Sequence, residues 1–149
     1  MAEITFDVTA PVAPDTVIGA LTDFGPDRPD RWPQLDPDAY EVYELGDTSA
    51  VVREGQRSPR LWAIEEYDWS RPGAVTWTAR ESNFCAPGSS MSVRVEPGPD
   101  GGSAVHVRWD RRGVGLKGKL IVAMMRLTGG RPLASQLASD LAQLDRAQR

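Results

Sequence analysis

Between residues 40 and 112 the sequence alternates apolar and polar side chains with a period of two, as a β-strand buried on one face does. Turn-forming stretches such as Gly46-Asp47-Thr48 and Ser70-Arg71-Pro72-Gly73 separate the alternating segments. These stretches are far too short to hold a crossover helix, so consecutive strands must run antiparallel. The pattern predicts six strands, at 40–46, 49–56, 61–69, 74–82, 90–96 and 103–112.

The N-terminal part of the chain adds a strand and two short helices. Residues 3–9 alternate in the same way and predict the first strand. Pro14-Asp15 is typical of a helix start, because proline suits the first helical position and acid suits the first turn. Residues 27–37 are too rich in proline for a long helix and predict one short turn that places Trp32 in the core.

The last third of the chain, from Gly115 to Arg149, is the only segment long and apolar enough to close a core, and it predicts a helix with one interruption. Residues 128–132 favour a kink or break there, because two glycines and a proline oppose helix formation. The apolar run at 120–125 indicates contact on more than one side, with a sheet beneath and other helices or a ligand beside it. The apolar residues form two stripes: Leu116, Leu120, Ala123, Met124 and Leu127, and then Leu133, Leu137, Leu141 and Leu144.

These elements predict an α+β fold in which a curved antiparallel sheet of about seven strands wraps a long C-terminal helix, with two short helices after the first strand. A length of 149 residues is typical of a single domain, so we expect one domain over residues 1–149.

Composition narrows the possible functions. The net charge of −4 argues against general binding to nucleic acid. A basic cluster within residues 108–119 (Arg108, Arg111, Arg112, Lys117 and Lys119) is either a local anion patch or a solvated rim. The start of the chain lacks the basic and apolar regions of a signal peptide, and Cys85 has no intramolecular disulfide partner. The apolar run at 120–125 is too short to span a bilayer, and we expect a cytoplasmic protein.

Several short motifs occur in an order that resembles the SRPBCC superfamily, and most closely its polyketide cyclase/dehydrase and lipid-transport branch. They are Val8-Thr9-Ala10-Pro11, Asp15, Val17, Leu21-Thr22-Asp23, Trp32-Pro33, Asp36-Pro37, Glu66-Tyr67-Asp68, Trp77 and the final helix beginning Gly115-Leu116-Lys117-Gly118. The resemblance covers nearly the whole chain and implies a helix-grip fold. It also implies a cavity between sheet and terminal helix that takes lipids, polyketides or aromatic compounds. The shared motifs are structural, so no catalytic residue follows from them.

The segment from Gly113 to Lys119 follows a strand, opens a helix and matches most of a phosphate-binding loop. A P-loop needs serine or threonine after its lysine to reach magnesium, and Leu120 stands there. A dinucleotide fingerprint needs a βαβ unit, and no strand follows this helix. We therefore predict no nucleotide and no other cofactor, and the glycines are expected to let the chain turn into the helix.

His106 is the only histidine and Cys85 the only thiol, so a nucleophilic mechanism with an imidazole base would have to use them. In its strand His106 alternates with apolar Val105 and Val107, which places the imidazole on the solvent face. We predict neither a triad nor a metal site.

The candidate cavity residues are mainly aromatic and flexible apolar side chains, whose alternative role is ordinary core packing. Two charged residues join them, because Glu81 and Arg111 are the only ones that the alternation predicts on the inner face, at strand ends about 10 Å apart. As the polar mouth of the cavity they would favour an anionic ligand. The predicted lining residues are Trp32, Trp62, Trp77, Glu81, Phe84, Met91, Trp109, Arg111, Leu120 and Met124.

Three functions are compatible with this sequence. The first is a binding or carrier protein for a hydrophobic small molecule, with few polar groups in the cavity. The alternative is a polyketide cyclase or aromatase, which needs at least two polar groups converging there. The third is an interaction module whose cavity is filled by large side chains. The identity of the ligand and the oligomeric state do not follow from the sequence.

Overall fold

A computed structural model of the chain describes residues 3–147. An antiparallel sheet of seven strands forms its centre, in the order β1-β7-β6-β5-β4-β3-β2. The strands are β1 (Glu3–Ala10), β2 (Glu41–Leu45), β3 (Ser49–Gln56), β4 (Leu61–Asp68), β5 (Ala74–Ser82), β6 (Ser90–Pro97) and β7 (Ser103–Asp110). The helices are α1 (Pro14–Leu21), α2 (Arg28–Arg31), α3 (Gly115–Thr128) and α4 (Arg131–Ala147), and one-turn 3₁₀ helices lie at Pro37–Ala39 and Pro99–Gly101.

The predicted fold class is confirmed. The two short helices follow β1, six strands follow them as hairpins, and the C-terminal helices come last. The last strand, β7, lies beside the first, so β1 pairs with β7 and forms one edge of the sheet, while β2 forms the other edge. Every predicted strand lies within two residues of its observed bounds, because period-two alternation and short turns are local signals.

The core lies between the concave face of the sheet and two helices. Valines of the central strands, among them Val52, Val75 and Val105, are almost fully buried. Leu141 and Leu144 of α4 belong to the same cluster, as do apolar residues of α1. The helix that closes the core is therefore α4.

The predicted break in the C-terminal helix is confirmed, and the glycines cause it. Gly129 ends α3 in the left-handed conformation at φ 63°, where a side chain would be strained. Gly130 also has positive φ, and a Cβ there would lie 3.0 Å from the ring of Phe6. Pro132 is tolerated because it lies in the first turn of α4.

The prediction that the apolar run at 120–125 is covered on more than one side is wrong, since none of its residues is buried. Gly118 is the one buried residue of helix α3. Leu116, Leu120, Met124 and Leu127 are exposed by between 57% and 82%. Helix α4 packs on the sheet beside β1, whereas the apolar stripe of α3 faces outward. Within residues 3–147, no helix combines the length and apolarity needed to cross a membrane.

Candidate ligand-binding cavity

A cavity of about 310 Å³ lies between the concave face of the sheet and α4, which is at the lower end of the usual range for small-molecule sites. Strands β3 to β7 form its floor, α1 and the segment around Trp32 form one wall, and α4 forms the cover. The interior is therefore not filled by large side chains. Its apolar and aromatic lining includes Val17, Leu21, Leu35, Leu61, Val93, Val105, Leu133, Leu137 and Leu141, besides residues described below.

Six of the predicted lining residues do line this cavity: Trp32, Trp62, Trp77, Phe84, Met91 and Arg111. Trp77 and Met91 are register partners on β5 and β6, so they share the concave face. The indole of Trp32 donates a hydrogen bond to the carbonyl of Ala20 at 3.4 Å, which ties the N-terminal wall to α1. Trp62 lies under the guanidinium of Arg53, which is 4.7 Å from its ring centroid.

Four predicted lining residues lie elsewhere. Leu120 and Met124 are on the exposed face of α3. Trp109 is buried beside its register partners Ile4 and Met91, but it packs in the core and is not part of the cavity wall. Glu81 is exposed on the outer face.

A β-bulge explains the error at Glu81. Glu65 pairs with Ala79 whereas the adjacent Ile64 pairs with Glu81, so Arg80 is an extra residue in β5. One extra residue reverses the alternation beyond it and turns Glu81 away from the cavity. The predicted polar mouth of Glu81 and Arg111 is therefore wrong.

The cavity instead contains two ion pairs, and the first is centred on Glu54, whose side chain is 18% exposed. Arg28 Nε donates to Glu54 Oε2 at 2.9 Å, and the hydroxyl of Tyr67 donates to Glu54 Oε1. Arg28 also donates to the carbonyls of Leu21 and Asp23, each at 3.0 Å, so its side chain is held on both sides. Burial works against the charge of Arg28, but Glu54 and Tyr67 outweigh it and raise the pKa of the guanidinium.

The second ion pair joins Arg111 to Glu65 by two parallel hydrogen bonds. Arg111 Nη1 lies 2.8 Å from Glu65 Oε1, and Nη2 lies 3.0 Å from Oε2. Both side chains are almost fully buried. Burial raises the pKa of Glu65, and Arg111 opposes that change, which makes each residue the other's main electrostatic support.

Tyr67 lies between the two pairs and connects them to the aromatic wall. Its ring stacks on Trp77 with centroids 5.1 Å apart, and the edge of Phe24 meets it at 4.7 Å. Burial, and then the negative charge of Glu54, raise the pKa of Tyr67 well above its usual value. The phenol is therefore a neutral donor whose proton is directed at Glu54.

Asp140 is the buried carboxylate of the cavity that has no arginine beside it. It lines the cavity from α4 and is 5% exposed. Within residues 3–147, Gln136 Nε2 donates a hydrogen bond to Asp140 Oδ1 at 2.9 Å from one helical turn earlier. Burial raises the pKa of Asp140, since one neutral amide does not replace the water that the carboxylate has lost.

Most of these polar groups were not predicted from the sequence. Glu81 and Arg111 were expected to be the only charged residues on the inner face, whereas Glu54 and Glu65 also lie there. The signal was present in β4, where Glu65 alternates in phase with the buried Ala63 and Tyr67. Asp140 shares a stripe with Leu137 and Leu144, three and four residues away along α4, so it was also within reach of a periodicity argument.

The remaining chemical candidates lie outside the cavity. His106 is on the outer face of the sheet, 2.6 Å from Asp7 and 3.3 Å from Glu96. Cys85 is buried, and burial raises the pKa of its thiol, which makes it a poor nucleophile. In the described part of the chain, no three His, Cys, Asp or Glu side chains are grouped to hold a metal ion.

The glycine-rich segment before α3 has a packing role. Gly115 turns the chain with φ 67°. A Cβ on Gly118 would lie 2.0 Å from the carbonyl oxygen of Phe84, and one on Gly113 would lie 2.4 Å from the carbonyl oxygen of Gly118. These two glycines let the first turn of α3 pack directly on the backbone of the neighbouring loop.

An open antiparallel sheet that wraps a C-terminal helix over an internal cavity defines a helix-grip protein of the SRPBCC superfamily. The profile of the family "Polyketide cyclase / dehydrase and lipid transport" matches residues 1–145, and the chain belongs to this family. A comparison with curated protein sequences gave no match.

Solved structures show the same fold at low sequence identity. A protein from Thermus thermophilus superposes with a TM-score of 0.76 at 15% identity, covering 98% of both chains. The Zhui aromatase/cyclase from a Streptomyces species gives 0.72 at 18% identity, covering 99% of this chain and 95% of that one. A START superfamily protein from Mycobacterium smegmatis gives 0.72 at 12% identity, covering 95% of this chain and 98% of that one. Identities this low establish the fold alone.

Proposed function

We propose that this protein binds a hydrophobic small molecule with one polar end in the cavity beneath α4. The observation that carries the proposal is a largely apolar cavity of about 310 Å³ whose polar groups are gathered at a few positions. Such a lining orients a ligand by a few hydrogen bonds and gains affinity from apolar burial. A binding or carrier role needs no group beyond these.

The state of the polar groups favours binding over catalysis. Glu54 accepts from Arg28 and Tyr67, and Glu65 is occupied by Arg111. A general acid or base needs a pKa near the working pH and a proton free to move toward the substrate. In the two ion pairs, each glutamate instead accepts hydrogen bonds from its arginine, and Glu54 also accepts one from the hydroxyl of Tyr67. These groups therefore serve as a rigid polar floor of the cavity.

We also propose that the polar end of the ligand is neutral or cationic. The charges of Arg28 and Arg111 are each balanced by a glutamate at 2.8–2.9 Å, the partly exposed Glu54 and the buried Glu65, so neither arginine carries an unbalanced charge that would attract an anion. Asp140 adds an unbalanced acidic group to the same cavity. This replaces the anionic ligand expected from the sequence.

A fluorescence titration with an apolar probe tests the cavity directly. Leu137→Trp places a larger side chain in the cover and is expected to weaken saturable binding at least tenfold, because the added ring occupies ligand volume. Leu127→Trp is the matched control, since Leu127 lies on exposed α3 and should leave binding unchanged. Equal affinity in both variants would show that the probe binds elsewhere.

Competition tests the preferred charge. A carboxylate, an alcohol and an amine with the same alkyl or aromatic body should displace the probe, and the carboxylate should be the weakest of the three. A carboxylate that competes best would contradict the proposed charge while leaving the cavity assignment intact. Native mass spectrometry after purification, followed by organic extraction, would identify a ligand that co-purifies.

A second candidate function is a polyketide cyclase or aromatase, and Asp140 is the observation that favours it. It faces the cavity, lacks an arginine partner and has a raised pKa, as a general acid requires. With a linear poly-β-keto thioester as substrate, Asp140→Asn should abolish turnover and keep probe affinity within about twofold. If the unmodified protein binds the substrate but does not turn it over, the carrier role is the one that remains.

A further inference from the structure

The exposed face of α3 carries a stripe of large apolar side chains with no covering element among the described residues. Leu116, Leu120, Met124 and Leu127 are exposed by 79%, 57%, 64% and 82%. At 100° per residue they span roughly 80° of the helix surface, and along the axis they extend about 16 Å. A contiguous apolar surface of this kind marks an interaction site.

Basic side chains border the stripe on both sides. Lys117 lies next to the position of Met124 around the helix, while Lys119 and Arg126 lie beyond Leu116 on the other side. From 112 to 131 the sequence contains basic residues and no aspartate or glutamate, although the chain as a whole carries a net charge of −4. The positive charge is therefore concentrated around the apolar stripe, against the average of the molecule.

We propose that α3 binds an anionic lipid surface, lying in the plane of the membrane with its apolar stripe in the acyl boundary and its basic residues at the headgroups. An exposed apolar face bordered by lysine and arginine is the pattern of an interfacial helix. Anionic headgroups supply the opposite charge, and each basic residue near them strengthens binding.

The same observations disfavour the other occupants of this face. A second copy would bring Lys117, Lys119 and Arg126 against their own equivalents, which repel. A protein partner needs polar groups that fix its orientation, and the outward face of α3 offers only apolar and basic side chains. A lipid surface requires neither shape complementarity nor directed hydrogen bonds.

Helix α3 is attached to loop residues that lie next to the cavity. The first turn of α3 packs through Gly118 on the carbonyl of Phe84, and Lys117 Nζ donates to the carbonyl of Arg60 at 3.1 Å. Phe84 and Leu61, the residue after Arg60, both line the cavity. A docked α3 therefore lies beside one wall of the proposed ligand site. The lipid-surface proposal itself does not depend on what the cavity binds.

Vesicle flotation with the full chain tests the proposal. The protein should float with phosphatidylcholine vesicles that contain phosphatidylserine, bind pure phosphatidylcholine vesicles much more weakly, and lose anionic binding as salt is raised. Leu120→Asp and the double variant Lys117→Glu/Lys119→Glu should each weaken binding to anionic vesicles by about tenfold or more.

Matched controls separate the face from general effects. Leu45→Asp changes a leucine of similar exposure on β2, and Arg71→Glu/Arg146→Glu changes the net charge by the same amount at exposed positions outside α3. Both should bind vesicles like the original protein. Leu120→Asp and both controls should keep their melting temperature, and the cavity probe should bind Leu120→Asp normally.

Three results would overturn the proposal: no flotation with anionic vesicles, equal binding to neutral vesicles, or equal losses in the two charge-reversal variants. Sedimentation that reveals a dimer abolished by Leu120→Asp, without vesicle binding, would assign the face to a second copy. Loss of probe binding in Leu137→Trp concerns the cavity alone, so the two proposals fail independently.

Discussion

The two C-terminal helices have opposite relations to the core, although a short glycine turn is all that separates them. Helix α3 is the more apolar in sequence, yet its large side chains face solvent and Gly118 is its buried residue. Helix α4 is more polar, yet it buries Leu141 and Leu144 and carries Asp140 into the cavity. Apolar content therefore does not identify the helix that closes a core, because position relative to the sheet decides which stripe is covered.

Two neighbouring arginines that follow β7 show the same contrast between a buried and an exposed side chain. Arg111 turns into the cavity beneath α4, whereas Arg112 is exposed and donates to the carbonyl of Pro87. Arg111→Ala should destabilise the protein by about 3–5 kcal/mol, because it leaves Glu65 buried without its partner. Arg112→Ala should cost less than about 1 kcal/mol, and denaturant unfolding measures both.

The double variant Glu65→Leu/Arg111→Met sharpens that result. Removing both charges together should recover most of the lost stability, since no unpaired group remains. If the double variant is as unstable as Arg111→Ala, packing by the arginine stem and not charge pairing explains the loss.

Leucine truncation compares the two helices directly. Leu141→Ala should cost about 2–5 kcal/mol, because Leu141 is fully buried and its loss leaves a void. Leu127→Ala should change stability by about 0.5 kcal/mol or less, since its side chain already faces water. Equal losses on chemical unfolding would show that α3 is covered in solution.

Glycine substitution tests how α3 is attached. Gly118→Ala should destabilise by about 1–3 kcal/mol, because its Cβ would overlap the backbone of Phe84 and the helix must shift. Gly19→Ala in α1 has open space around the new Cβ and should instead stabilise by up to about 1 kcal/mol through helix propensity. A neutral or stabilising Gly118→Ala in thermal unfolding would contradict the close packing.

Asp140 is expected to produce the smallest effect, and one that depends on pH. Burial raises its folded pKa above the unfolded value, so its favourable contribution is complete below about pH 4 and is lost as pH rises through the folded pKa. Asparagine does not ionise. The Tm of the Asp140→Asn variant should therefore exceed that of the original protein by a few degrees at pH 7 and equal it at low pH. Asp47→Asn, in an exposed turn, is the control and should leave Tm nearly unchanged.

The secondary-structure elements and their order could be predicted from local sequence patterns. Period-two alternation with short turns predicted the antiparallel strands, and Gly129-Gly130 predicted the break between α3 and α4, because these signals depend on residues adjacent in the chain. Lining residues such as Trp77 and Met91 were also predictable, since alternation along an uninterrupted strand is enough to place them on the concave face.

The contents of the cavity and the helix that covers it depend on contacts between residues far apart in the chain. The bulge at Arg80 arises from pairing between β4 and β5, so alternation along β5 could not reveal that Glu81 turns outward. The partner of Arg111 is Glu65, on a strand that is not its neighbour, and the two charges stabilise each other because both are buried away from water. The exposure of Leu120 and Met124 likewise depends on where the chain places α3, which no local pattern records.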